Sequence, residues 1–72
     1  MVTKIVERYD GETEFGEIVR EIGETTYYAG IYSTEPGHAF ELKFWESHDS
    51  IESAREAIQK NLKKPYIKTI GG

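Results

Sequence analysis

Three turn signals divide this chain at equal intervals: Asp10-Gly11, Gly23-Glu24 and Pro36-Gly37, each pair beginning thirteen residues after the last. Asp-Gly favours a type I′ hairpin and Gly-X a type II′ one, because both need residues that tolerate positive φ. Pro-Gly suits another turn type or a slightly longer loop. The runs between them, VTKIVERY, EFGEIVREI, TTYYAGIYS and HAFELKFWE, are rich in β-branched and aromatic residues. The spacing predicts a four-stranded antiparallel meander.

Residues 14–22 allow a rival reading. Phe15, Ile18, Val19 and Ile22 stand at i, i+3, i+4 and i+7, the stripe of an amphipathic helix. That helix would make the order βαββαβ, a ferredoxin-like arrangement. The segment also holds a glycine and several β-branched residues, which disfavour helix. Strand is therefore the expectation.

A helix follows the meander. Asp49 is the expected N-cap, with Glu52 three residues on as in a capping box. Ile51, Ala54, Ile58 and Leu62 trace its apolar face. Lys60, Lys63 and Lys64 complement its C-terminal dipole, and Pro65 stops it. PYIKTI reads as a fifth strand, antiparallel to the first. The expected sheet order is 5-1-2-3-4. The chain is one α+β domain over residues 1–70, of ββββαβ order, with Gly71-Gly72 as a flexible tail.

Two-residue turns fix a register by counting. Tyr9 then faces Glu12, Val6 faces Phe15 and Val2 faces Val19. Ile18 faces Ala29, Val19 faces Tyr28 and Phe15 faces Tyr32. In the last hairpin Glu35 faces His38, Ile31 faces Leu42, Ala29 faces Phe44 and Tyr28 faces Trp45. Side chains alternate between faces. One face collects Thr3, Ile5, Ile18, Ile22, Ala29, Ile31, Phe40, Leu42 and Phe44, and is assigned to the core beneath the helix. Gly16 and Ala29 near its middle leave room for the helix to approach.

The opposite face carries two apolar rows, Val2–Val19–Tyr28–Trp45 and Val6–Phe15–Tyr32–Glu41. A row of Lys4, Glu17, Gly30 and Lys43 runs between them. One helix cannot cover both faces of a sheet, so Phe15, Tyr28, Tyr32 and Trp45 are expected to face solvent, with Tyr27 on the helix side. Exposed tyrosine and tryptophan are common binding anchors. The candidate binding surface is therefore Phe15, Tyr28, Tyr32, Lys43 and Trp45, offered to a protein partner or to a second copy of the chain.

Composition narrows the chemistry. The absence of cysteine excludes disulfides, thiolate metal sites and cysteine nucleophiles. It also suits a cytoplasmic location, and MVTKIVERYD has no apolar run of a signal peptide. No stretch is long and apolar enough to span a bilayer as a helix, so no membrane partner is expected. The net charge is −4. Residues 1–50 carry eleven acids and four bases, whereas residues 51–72 carry two acids and five bases.

No catalytic residue, metal site or cofactor is expected. SHDS at 47–50 contains Ser, His and Asp, but adjacent residues cannot converge into a triad, and helix capping accounts for them. His38 and His48 lie at opposite ends of one strand, too far apart to share a metal. Glu17 between Lys4 and Lys43 reads as a surface charge ladder. An alternative reading is a module for single-stranded nucleic acid, with the same aromatics stacking bases and Lys4, Lys43 and Lys68 meeting phosphates. GIY at 30–32 resembles half of the GIY-YIG nuclease signature, without the second half. GHAFELKF at 37–44 is similar to the RNA-recognition RNP1 motif, with one residue too many. Gly71-Gly72 resembles the end of ubiquitin-like carrier proteins, which would imply activation at that carboxylate. Residues 25–70 also supply a β-β-α-β order, but ubiquitin-like folds place the hairpin first and usually need more strand after the helix.

Overall fold

In a computed structural model, residues 3–35 and 40–71 are described. Five strands and one helix follow in the order β1 (Thr3–Gly11), β2 (Glu14–Glu21), β3 (Tyr27–Ser33), β4 (Glu41–His48), α1 (Ile51–Asn61) and β5 (Tyr66–Ile70). They form one antiparallel sheet of order β4-β3-β2-β1-β5, with α1 packed on one face. This is the ββββαβ fold and strand order that the turn spacing predicts. Residues 14–21 are extended, so the ferredoxin-like order does not apply.

The β2–β3 register matches expectation: Ile18 pairs with Ala29, Val19 with Tyr28 and Phe15 with Tyr32. Gly23, at φ 91°, makes the turn. That turn is wider than two residues. Ile22 consequently lies outside both strands and is exposed rather than part of the core.

The β1–β2 hairpin turns two residues later than expected. β1 continues through Asp10 and Gly11, so Asp10 pairs with Phe15 and Tyr9 with Gly16. The slip is even in register and leaves Tyr9 on the helix side, where it is buried. A bulge at Val6 then reverses the alternation. Ile5 pairs with Val19 and Thr3 with Glu21, both on the face away from the helix. The core assignment of Thr3 and Ile5 is corrected accordingly, whereas Val6 packs against the core.

β4 deviates in the same way. Its inner half is displaced by two residues, so Ile31 pairs with Phe44, Gly30 with Trp45 and Tyr28 with Ser47. A bulge at Lys43 flips what precedes it, and Leu42 pairs with Tyr32. Phe40 follows, with its ring edge-on to Phe15 at 5.3 Å. Leu42 and Phe40 thus belong to the open face, not the core. The Pro36-Gly37 turn and the expected Glu35–His38 pair fall outside the described residues, as does Gly72, whereas the β1 partner of Val19 is Ile5 and not the expected Val2.

Helix α1 is capped by Ser50 rather than Asp49: the Ser50 side chain accepts from the Ser53 N–H. The hydroxyl at position 50 reaches the N3 amide, the usual N-cap geometry. Ala54, Ala57, Ile58 and Leu62 are buried against Ile18, Ala29, Ile31 and Tyr9. Approach is close over Gly16, where a Cβ would lie 3.2 Å from the Ile58 side chain. Ile18, Ile31 and Ile58 are fully buried, each contributing about 1.5–3 kcal/mol before entropy is counted.

Candidate functional site

With α1 on one side, the other face of the sheet has no covering element among the described residues. Alternation from the observed pairs places Tyr28, Gly30 and Tyr32 of β3 on that face. Phe15, Glu17 and Val19 of β2, Arg8 and Asp10 of β1, and Leu42 and Trp45 of β4 join them. Among the described residues seven large apolar side chains are well exposed, and six of them, Ile5, Phe40, Leu42, Trp45, Ile67 and Ile70, belong to this face. The seventh, Ile22, lies elsewhere. The apolar exposure is therefore concentrated rather than scattered.

The rings lie flat in two pairs. Tyr28 stacks on Trp45 with centroids 5.4 Å apart and an interplanar angle of 17°. Phe15 stacks on Tyr32 at 5.1 Å and 22°. Between the pairs, Trp45 leans over Gly30, where a Cβ would come within 2.9 Å of the indole Cε3. Gly30 is thus the seat of the tryptophan.

The proposed binding residues are not equivalent. Trp45 is half exposed, Tyr28 and Tyr32 are partly buried, and Phe15 is buried. Phe15 is covered by Tyr32, by the edge of Phe40 and by the Arg8 guanidinium, 4.4 Å above its ring. It supports the face rather than presenting it. Burial, together with the nearby Glu17 charge, raises the Tyr32 hydroxyl above its ordinary range. Lys43 sits in the bulge, and its ammonium lies 3.5 Å from Glu14 on the helix side of the sheet. Lys43 and the other rings are not brought together.

Charge on the open face is only partly compensated internally. Arg8 contacts Asp10 at 3.0 Å and Glu17 at 3.5 Å. Lys4 pairs with Arg20 on the helix side, and Lys68 reaches Glu7 there at 3.0 Å. The three lysines considered as phosphate contacts therefore all leave from the opposite face to the rings.

A second cluster went unnoticed in the sequence. Glu7 is fully buried on the helix side. Arg55 donates to it through Nε at 2.9 Å and Nη2 at 2.7 Å, Lys68 lies at 3.0 Å, and the Tyr9 hydroxyl also donates. The Arg55 hydrogen bonds, helped by those from Tyr9 and Lys68, outweigh burial and hold Glu7 at about 2. Burial and the neighbouring Glu7 push the Tyr9 phenol well above its ordinary range. The cluster joins β1, α1 and β5. With every partner engaged, it acts as a structural clip. A charged residue at an inward position of VTKIVERY was its signal, since a buried carboxylate demands a cation.

At the start of α1, His48 bridges β4 to the helix. Its Nε2 lies 2.7 Å from Glu46 Oε1, and its Nδ1 lies 3.2 Å from Ser53 Oγ. Ser53 is held in turn by the Ser50 hydroxyl and carbonyl. The hydroxyl is engaged in the cap, consistent with a capping role for this stretch. An open cleft of about 490 Å³ lies beside it, lined by Phe44, Glu56 and Lys60 among others. Among the described residues, no three His, Asp or Glu side chains are placed to hold a metal ion. No helix among them is long and apolar enough to cross a membrane.

The chain matches no protein-family model, and no curated protein or solved structure is significantly similar to it.

Proposed function

We propose that the chain is a non-enzymatic interaction domain that binds a protein surface through the open aromatic face of its sheet. The observation behind this reading is that, among the described residues, six of seven exposed large apolar side chains gather on the face that α1 leaves uncovered. Trp45 and Leu42 are the expected anchors, with Tyr28 and Tyr32 as flat, partly buried neighbours. Aromatic side chains that bury large area at low entropy cost commonly dominate such contacts.

Nucleic-acid binding is the weaker reading. Base stacking on the rings would need cations on the same side to meet the phosphates. Lys4, Lys43 and Lys68 lie on the other side, and Arg8 is held by two carboxylates.

The test pairs capture with substitution. Protein partners cross-linked to the wild-type chain in its native cells should be lost from Leu42→Glu and Trp45→Glu variants that keep their circular dichroism. An unchanged set of partners would refute the proposal. A single-stranded oligonucleotide that shifted Trp45 fluorescence in a salt-dependent way would favour the nucleic-acid reading instead.

A further inference from the structure

We propose that the cleft between β4 and α1 binds an alkylguanidinium group, such as an arginine side chain. The site lies on the helix side of the sheet and is independent of the open aromatic face. The buried side of α1 is seated over β2 and β3, at Gly16, Ile18, Ala29 and Ile31. It does not close over the edge strand β4, and the gap is a cleft of about 490 Å³. That volume falls within the roughly 300–1,000 Å³ of small-ligand sites. Alternation along β4 turns Phe44, Glu46 and His48 into the cleft, and helical spacing brings Ser53, Glu56 and Lys60 to its other wall.

One atom there lacks a partner. His48 Nε2 is buried and makes no hydrogen bond, although Glu46 Oε1 lies only 2.7 Å away. The capping network explains why. The Ser53 hydroxyl donates to the Ser50 carbonyl at 3.2 Å, so it meets His48 Nδ1, also at 3.2 Å, with a lone pair. The ring proton therefore sits on Nδ1, and Nε2 keeps its own lone pair beside the Glu46 carboxylate. Two buried acceptors side by side call for a shared donor.

The remaining groups of the cleft have the same polarity. Asn61 directs its amide N–H to the Ala57 carbonyl at 2.8 Å, which leaves its side-chain oxygen as an acceptor. Neither Glu56 nor Lys60 forms an ion pair among the described residues. The Glu46 and Glu56 carboxylates stand against the single Lys60 ammonium, so the lining is acidic on balance. A metal ion would need a third side-chain ligand, and the described residues do not place one. An organic cation rich in N–H donors fits instead. Guanidinium is preferred to ammonium because its planar fork pairs with carboxylates and its face stacks on an aromatic ring, here that of Phe44.

Titration of the full chain with N-acetyl-arginine amide, followed by NMR, tests this. The His48 imidazole and Phe44 ring signals should shift together and saturate at millimolar concentration. Glu46→Gln and Glu56→Gln should each weaken binding about three- to fivefold, the strength of an exposed ion pair, in chains whose backbone signals show an intact fold. N-acetyl-citrulline amide, of the same shape without the charge, should bind at least about tenfold more weakly. Ethylguanidinium separates two sources of the group. Binding as tight as that of the arginine probe assigns the site to a free guanidine, and weaker binding assigns it to an arginine carried on a chain. Signals that do not move, equal binding of the citrulline probe, or arginine binding untouched by both glutamine variants overturn the proposal. So does zinc chloride, if it saturates the His48 signals where the arginine probe does not.

Discussion

Replacing Glu7 with glutamine tests what a fully buried carboxylate contributes to so small a fold. Its pKa falls from the ordinary 4.5 to about 2, chiefly through the Arg55 hydrogen bonds. That drop corresponds to about 3 kcal/mol of gross preference for the charged form in the folded state. The Arg55 and Lys68 side chains are 34% and 46% exposed, so water screens part of the attraction. Roughly 1–2 kcal/mol should remain as net stabilisation. Because the folded pKa is the lower one, this contribution is complete above about pH 4.5 and is lost as pH falls through about 2.

Glutamine copies the shape of a protonated glutamate, which makes the comparison clean. Urea denaturation of wild type and Glu7→Gln should differ by about 1–2 kcal/mol at neutral pH, and the gap should close between about pH 4.5 and 2. In thermal unfolding the neutral-pH gap corresponds to a loss of at least about 4 °C for a domain of this size. Acid also acts on the rest of the protein, so the difference between the two proteins is the quantity to follow. A gap independent of pH, or a variant as stable as wild type at neutrality, would refute the argument that Glu7 is held charged by its partners.

Three further outcomes follow from the geometry. Ser50→Ala should cost about 1 kcal/mol by removing the acceptor for the Ser53 N–H, whereas Asp49→Ala should cost much less; urea midpoints compare the two. Gly30→Ala should push the indole off its seat, costing about 1–3 kcal/mol as overpacking does, and Trp45 fluorescence should report the displacement. Ile58→Ala should cost about 2–5 kcal/mol, because its side chain fills the space over Gly16 at the centre of the core; thermal melts measure the loss.

How far the fold can be read from the sequence depends on the range of the interaction concerned. Turn chemistry is local, and it carried the strand count, the meander and the β2–β3 register. The side of β3 from which each ring points followed from alternation alone, since that strand has no bulge between Tyr27 and Ile31. The Asp10-Gly11 signal misled because tertiary contacts prefer a later turn: Tyr9 gains burial beside Gly16, and Arg8 gains Phe15 and Glu17. The Glu7 clip joins residues 48 and 61 positions apart, and no local pattern encodes that distance. At the helix start, both Asp49 and Ser50 are good caps. The choice falls to the residue whose hydroxyl meets Ser53.

The bulges at Val6 and Lys43 were the least legible features, and they have a common effect. Neither Val6 nor Lys43 is a residue that announces a bulge. Yet each moves apolar neighbours, Ile5 in one case and Leu42 in the other, from the helix side to the open side. The reason is coverage. An eleven-residue helix is about 16 Å long, and its buried side chains sit over Gly16, Ile18, Ala29 and Ile31. Apolar residues at the far ends of β1 and β4 would lie beyond its reach on that side, against water. Flipped, Leu42 sits opposite Tyr32 and Ile5 opposite Val19, where neighbouring side chains cover part of each. The same flips place Lys4 and Lys43 on the helix side, one beside Arg20 and the other near Glu14. Strict alternation would have put both lysines among the rings. The bulges thereby exchange the cations for aliphatic groups, which makes the open face suited to an uncharged surface and poorly suited to phosphate.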